Sequence, residues 1–198
     1  MPKNEDLHGN APDKSETALL IIDLISDFDF ESGERLYEHA LAAARRLAAL
    51  KQSAKRHKIP VVYVNDNFGK WQSDFKKLLD HCSRDESRGR EIVALVAPDE
   101  DDYFVLKPKH SGFYSTTLDV LLEYLGAEKL ILTGIATDIC ILFTANDAYM
   151  RDFELFVPRD CVAANEPETN EKTLDYLEKI LKADTRPSAE IDFERLQK

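Results

Sequence analysis

Hydrophobic and polar positions follow two rhythms along this chain. Short runs made mostly of apolar residues occupy 18–22, 61–64, 103–106, 130–133 and 154–157. Runs of this length, rich in Val, Ile and Leu, fit strands covered on both faces. Between them the apolar residues recur at helical spacing. Ala40, Leu41, Ala44, Leu47, Ala48 and Leu50 mark a helix over 39–57, with Arg45, Arg46, Lys51 and Lys55 largely off that stripe and Pro60 ending it. A loop region follows over 66–89, holding a short helix at 73–82. A further helix covers 117–125, with Thr116 as cap and Gly126 as stop. Two more cover 141–150 and 169–181, the last with Leu174, Leu177, Ile180 and Leu181 turned inward. Strands alternating with helices predict an α/β fold built on a mostly parallel sheet with right-handed crossovers.

The chain has 198 residues, 43% of them hydrophobic, enough for one sizeable core and too few for two comfortable ones. The expected organisation is a mobile, polar N-terminal arm over 1–14, available to a partner subunit, and one domain over 15–198. A formal net charge of −11 argues against nucleic acid, whose phosphates demand a basic surface. No apolar run approaches the roughly 20 residues of a membrane span, and the first residues lack the apolar core of a signal peptide. Cys82, Cys140 and Cys161 have neither CxxC spacing nor an even count, so neither a disulfide framework nor a zinc cluster is indicated, and the count suits a reducing cytoplasm.

One of these cysteines changes the picture. The run 130–133 ends in Thr133-Gly134, turns, and delivers Cys140 where a helix begins. The helix dipole and unpaired N–H groups lower a thiol pKa there, and the thiolate is the reactive form. Taken alone, Cys140 is equally a buried structural residue. Two other strand ends bear on the choice. The first run closes on Asp23 and the third on Lys107, and parallel sheets bind ligands outside their carboxyl ends. A cysteine nucleophile needs a base for its proton and a cation for its anion; Asp23 and Lys107 supply them. Singly, Asp23 reads as a helix cap and Lys107 as an exposed loop charge, but three such residues on one rim point to catalysis.

Three segments resemble the isochorismatase-like cysteine hydrolases, a family that includes nicotinamidases and N-carbamoylsarcosine amidohydrolase. They are Asp23-Leu-Ile-Ser-Asp27-Phe28, Lys107-Pro-Lys-His-Ser111-Gly-Phe113-Tyr114 and Gly134-Ile-Ala-Thr137-Asp138-Ile-Cys140. The resemblance implies a three-layer α/β/α fold with five to six strands, the sixth near 183–186, and a triad of Asp23, Lys107 and Cys140. It also implies a cis peptide between Ile135 and Ala136, which would aim the N–H of Ala136 with that of Cys140 at an oxyanion. Relatives of this fold usually form dimers or tetramers, so a homo-oligomer is expected.

Nicotinamidases carry a metal beside the pocket, on an Asp-x-His pair after the second strand. The corresponding segment here is Asp66-Asn67-Phe68, and the five histidines offer no ligand spacing, so no metal and no cofactor are expected. His81, beside Asp80, reads as part of a helix-end charge pair. True isochorismatases lack the cysteine in the family picture. The remaining reaction is hydrolysis of a C–N bond in a small amide, carbamoyl or ureido compound. A catalytically silent binding or scaffold protein, a nicotinamidase-like hydrolase and an isochorismatase-like hydrolase are the alternatives. Phe28, Asn67, Trp71, Phe113 and Tyr114 are the candidate pocket residues; for Phe28 and Phe113, plain loop packing reads equally well. Thr137 and Asp138 are expected to fix the turn through side-chain to backbone bonds.

Overall fold

The computed structural model describes residues 11–66 and 74–196. Its strands are β1 (Thr17–Ile22), β2 (Val61–Asp66), β3 (Tyr103–Lys107), β4 (Lys129–Ile135), β5 (Glu154–Phe156) and β6 (Val162–Ala163). All pair in parallel in the order β3-β2-β1-β4-β5, with β6 against the carboxyl end of β4. The helices are α1 (Gly33–Arg56), α2 (Phe75–Cys82), α3 (Arg90–Leu95), α4 (Leu118–Leu125), α5 (Leu142–Tyr149), α6 (Pro167–Leu181) and α7 (Phe193–Leu196).

Alternation along each strand sorts the core into two layers. Leu19, Ile21, Val61, Tyr63 and Ile131 meet Leu36, Ala40, Ala44 and Leu47 of α1, with Phe75 of α2 and Ile92 of α3. Ala18, Leu20, Ile22, Val62, Val64, Leu130 and Leu132 meet Leu118 and Leu122 of α4, Ala145 of α5 and Leu174 of α6. The central strand β1 is buried at every position, which is why its sequence is apolar without alternation. This is the expected three-layer α/β/α arrangement. No helix among the described residues is long and apolar enough to cross a membrane.

Several boundaries differ from the periodicity. Helix α1 begins at Gly33 rather than at 39, because its first turns bury only Gly33 and Leu36 and leave no stripe to read. The six residues of α3 are too few to show a period. The expected sixth strand at 183–186 is one isolated bridge, Phe156 to Asp184, and the sixth strand is instead the two-residue β6. Near the close of the expected arm, Tyr103 donates to Asp13 at 2.7 Å, and at the start of the domain the Ser15 N–H donates to the Leu125 carbonyl at 3.0 Å. Residues 1–10 lie outside the described residues.

Candidate active site

The strand order reverses direction at β1, which has β2 on one side and β4 on the other. Such a switch point opens a crevice at the carboxyl edge of the sheet. Asp23 is the first residue past β1. Its N–H donates to the Val64 carbonyl at 3.0 Å, and its backbone is left-handed at φ 53°. Aspartate tolerates that conformation better than most residues, and here it lifts the carboxylate into the crevice. One oxygen accepts from the Asp66 N–H at 2.7 Å and the other from the Lys107 ammonium at 2.7 Å.

Lys107 ends β3 opposite Asp66, and its side chain is buried. Its ammonium also donates to the Lys109 carbonyl at 3.2 Å and to Cys140 Sγ at 3.5 Å. The thiol therefore rests on the same cation as the carboxylate. It is brought there by Gly134, whose φ of 115° suits glycine and where a Cβ would lie 2.0 Å from the Ile22 carbonyl oxygen. Beyond it the Ile135–Ala136 peptide is cis, as the resemblance implies. The chain then winds through one π turn, Thr137–Ile141, before α5. The Ala136 carbonyl accepts from the Ile139 and Ile141 N–H groups, each at 3.1 Å.

The electrostatics differ from the expectation of a thiol lowered by its helix. Burial and the neighbouring Asp23 carboxylate together outweigh Lys107, and the Cys140 thiol is pushed up to about 12. Burial also raises the Asp23 carboxyl, against the pull of Lys107. For Lys107, burial acts to discharge the ammonium, but Asp23, Cys140 and Asp66 outweigh it and raise its pKa. The resting arrangement is an ammonium, a protonated thiol and a carboxylate made more basic than usual. It can pass a proton from sulfur to Asp23 and leave the thiolate beside Lys107.

The expected pocket residues divide. Phe28 is fully buried, edge-on to Tyr37 at 5.5 Å, and takes a left-handed φ of 56°. Phe113 is buried against Phe153, with the Arg151 guanidinium over its ring at 4.7 Å. Both belong to the hydrophobic core clusters. Tyr114 is exposed, while Asn67 and Trp71, with Phe68, lie outside the described residues. A cavity of about 510 Å³ beside the first motif is lined by Asp29, Phe30, Arg35 and Arg88, and no triad residue reaches it. His81 pairs with Asp27 at 2.9 Å rather than with Asp80, tying α2 to the loop after β1. Thr137 donates to the Asn170 side chain of α6 at 2.6 Å and not to backbone, and Asp138 Oδ1 is buried without a partner among the described residues. Cys82 and Cys161 are free and fully buried. Among the described residues, the grouping of acidic or histidine side chains close enough to hold a metal is Asp99, Asp101 and Asp102, at the amino end of β3 and opposite Lys107. Sequence reading missed Thr144 and Asp147 of α5, which grip the segment after Lys107. Their signal was only a helical spacing from Cys140.

A parallel sheet carrying aspartate, lysine and cysteine on its carboxyl edge defines an α/β protein with a hydrolase-type site. The chain matches the Isochorismatase domain over residues 17–185 and belongs to the isochorismatase family, whose members are hydrolases. It is 42% identical to the uncharacterized isochorismatase family protein YaaI of Bacillus subtilis over 178 residues, covering 90% of this chain and 97% of that protein. Its fold is similar to N-carbamoylsarcosine amidase from Thermoplasma acidophilum, with a TM-score of 0.69, 28% identity, and 89% and 99% of the two chains covered. It is also similar to the pyrazinamidase/nicotinamidase of Streptococcus mutans UA159, with a TM-score of 0.68, 25% identity, and 85% and 99% covered.

Proposed function

We propose that this protein is a cysteine-dependent hydrolase of a C–N bond in a small amide, carbamoyl or ureido compound. The observation that carries this reading is the Lys107 ammonium bridging the Asp23 carboxylate at 2.7 Å and the Cys140 sulfur at 3.5 Å. The amidase and nicotinamidase names of the structural neighbours support the same bond type.

In this reading the Cys140 thiol passes its proton to Asp23 as sulfur attacks the carbonyl carbon, and Lys107 holds the growing thiolate charge. The carbonyl becomes an oxyanion facing the N–H groups of Ala136 and Cys140. The C–N bond then breaks, and the amine leaves with the proton from Asp23. A thioester remains on Cys140. Water adds to it, giving a proton to Asp23; the carbon–sulfur bond breaks, the acid departs, and the proton returns to sulfur. The proton that leaves on the amine comes from the thiol, and the attacking water restores it at the end of the cycle.

The reading extends to a homo-oligomer in a reducing cytoplasm, acting on a small molecule and on neither nucleic acid nor membrane. Exposed Phe143, Met150, Tyr176 and Ile180 on and beside α5 and α6 give an apolar surface for a second copy. Light scattering at micromolar concentration should show a dimer or larger; a monomer would remove that extension. The deciding experiment is ammonia release across a panel of small amides and ureides, with intact mass after a rapid quench. A thioester on Cys140 that disappears in Cys140→Ala is the expected result. Unmodified protein and no turnover throughout the panel would favour a silent binding protein.

A further inference from the structure

Cys140 and Lys107 come from different crossovers, and nothing in their own strands fixes the 3.5 Å between them. Among the described residues, one hydroxyl links the backbones of the two segments. Thr144, fully buried on α5, donates to the Cys140 carbonyl at 2.7 Å. The Thr144 hydroxyl oxygen in turn accepts from the Gly112 N–H at 3.0 Å. The first bond alone is ordinary, since helical threonines often bond back one turn. The second is not local: it reaches the loop that leaves β3 just after Lys107.

The rest of this contact is built around that oxygen. At Gly112 a Cβ would lie 3.0 Å from Val64 Cγ1 of β2 and 3.1 Å from Leu118 Cδ2 of α4, so the loop seats against those two elements as closely as it does because no side chain stands there, with Thr144 of α5 in ordinary contact beside it. One turn further along α5, Asp147 accepts from the Ser111 hydroxyl, and Ser111 in turn accepts from the Phe113 N–H at 3.1 Å. Arg151 donates to the Asp147 carbonyl at 2.9 Å and covers the Phe113 ring. Thr144, Asp147 and Arg151 thus hold three consecutive loop residues.

From this geometry we infer that Thr144 is a positioning residue, whose hydroxyl locks the Cys140 backbone to the Lys107 loop and so sets the sulfur–ammonium distance. The inference rests on the cysteine reading above. Removing the hydroxyl frees the two segments to separate. Lys107 then holds the thiolate less well, and attack slows while the fold persists.

The test uses p-nitrophenyl acetate as an acyl donor, with acetylation of Cys140 followed by intact mass between pH 6 and 10. If wild type acetylates no faster than Cys140→Ala, the cysteine reading itself fails and the inference falls with it. If wild type reacts, Thr144→Val is expected to react about tenfold more slowly, as small misplacements at a reacting atom do. Its rate profile should move to higher pH, and Thr144→Ser should restore both rate and profile. A Thr144→Val rate and profile equal to wild type would overturn the inference, as would a slow Thr144→Ser. Should Thr144→Val not fold, Ser111→Ala cuts the Asp147 contact from the loop side: about threefold slower acetylation supports the inference, and a wild-type rate overturns it.

Discussion

Two lysines are buried at opposite ends of β3, and they do different things. At the amino end Lys51 of α1 reaches the Ala97 carbonyl at 2.6 Å, Asp102 at 2.8 Å and Asp99 at 3.2 Å. An ammonium has three donors, and all of these end on oxygen. At the carboxyl end Lys107 places two donors on Asp23 and the Lys109 carbonyl and the third on sulfur. Lys51 and its neighbour Lys55 fasten the α3–β3 loop to α1, with Lys55 held charged by Asp101 and Asp102 although burial works against it. Lys107 is one oxygen short of that saturation, and its third partner is the Cys140 sulfur, the proposed nucleophile. Burial of a cation is therefore not the mark of a reaction site; what it leaves incompletely paired is.

The comparison breaks most directly at the nucleophile. Cys140→Ala should lower turnover below detection, by at least about 10³-fold, with the melting temperature nearly unchanged. Steady-state assay beside a thermal melt checks both halves; full activity would end the covalent mechanism. Lys107→Met should lower kcat/KM by about 10²-fold and also destabilise by about 3 kcal/mol, because it leaves Asp23 unpaired in the crevice. Lys51→Met should destabilise by less, about 1 kcal/mol, since Lys55 still pairs with the buried Asp102 at 2.7 Å, while kcat/KM stays within about twofold of wild type. Chemical denaturation and kinetics on the pair separate the two ends of β3. Equal activity losses would show that both lysines act only through the fold.

A smaller effect concerns pH. The Asp23 carboxyl is raised by burial, and the reaction needs its ionised form as base. Activity should fall with acid at a pH above the range of an ordinary carboxylate, and Asp23→Asn should flatten that limb at a much lower rate. The stability sign is opposite. A carboxyl raised on folding contributes stability at low pH that is lost as pH rises through the folded value, so this group alone does not cause acid unfolding. A kcat/KM profile set against a melt series at the same pH values tests the divergence; parallel profiles would mean that acid merely unfolds the site.

How much of this was legible follows from length scale. The β1 run and Asp23 could be read because a strand buried on both faces is continuous and ends at the first polar residue; Lys107 closes the apolar run of the edge strand β3, and Cys140 was marked by the Thr133-Gly134 turn and the helix start after it. Phe28 and Phe113 were not settled, since an aromatic beside a motif has the same spelling whether it lines a pocket or packs beneath it. Only the contacts of Phe28 with Tyr37 and of Phe113 with Phe153 decide. The raised thiol was missed because burial and the nearness of Asp23 are tertiary facts, while the helix start beside Cys140 is visible locally. Thr144 was invisible for the same reason: its second partner, Gly112, is 32 residues away.

The smallest expected effect is that of a chelator, and it sharpens what kind of site stands at the carboxyl edge. A bound zinc or iron needs several nitrogen, oxygen or sulfur ligands converging on one point. After β2 the chain offers the Asp66 carboxylate, followed by Asn67 and Phe68 where the Asp-x-His pattern of nicotinamidases requires histidine. The cluster of Asp99, Asp101 and Asp102 is at the other end of β3, and Lys51 and Lys55 neutralise it. If Lys107 alone stabilises the thiolate, exhaustive dialysis against EDTA should leave kcat/KM within about 20% and leave Cys140 acetylation unchanged. Loss of activity with recovery on adding zinc, iron or manganese would place a second cation beside the sulfur, and Lys107 would then share the role that distinguishes it from Lys51.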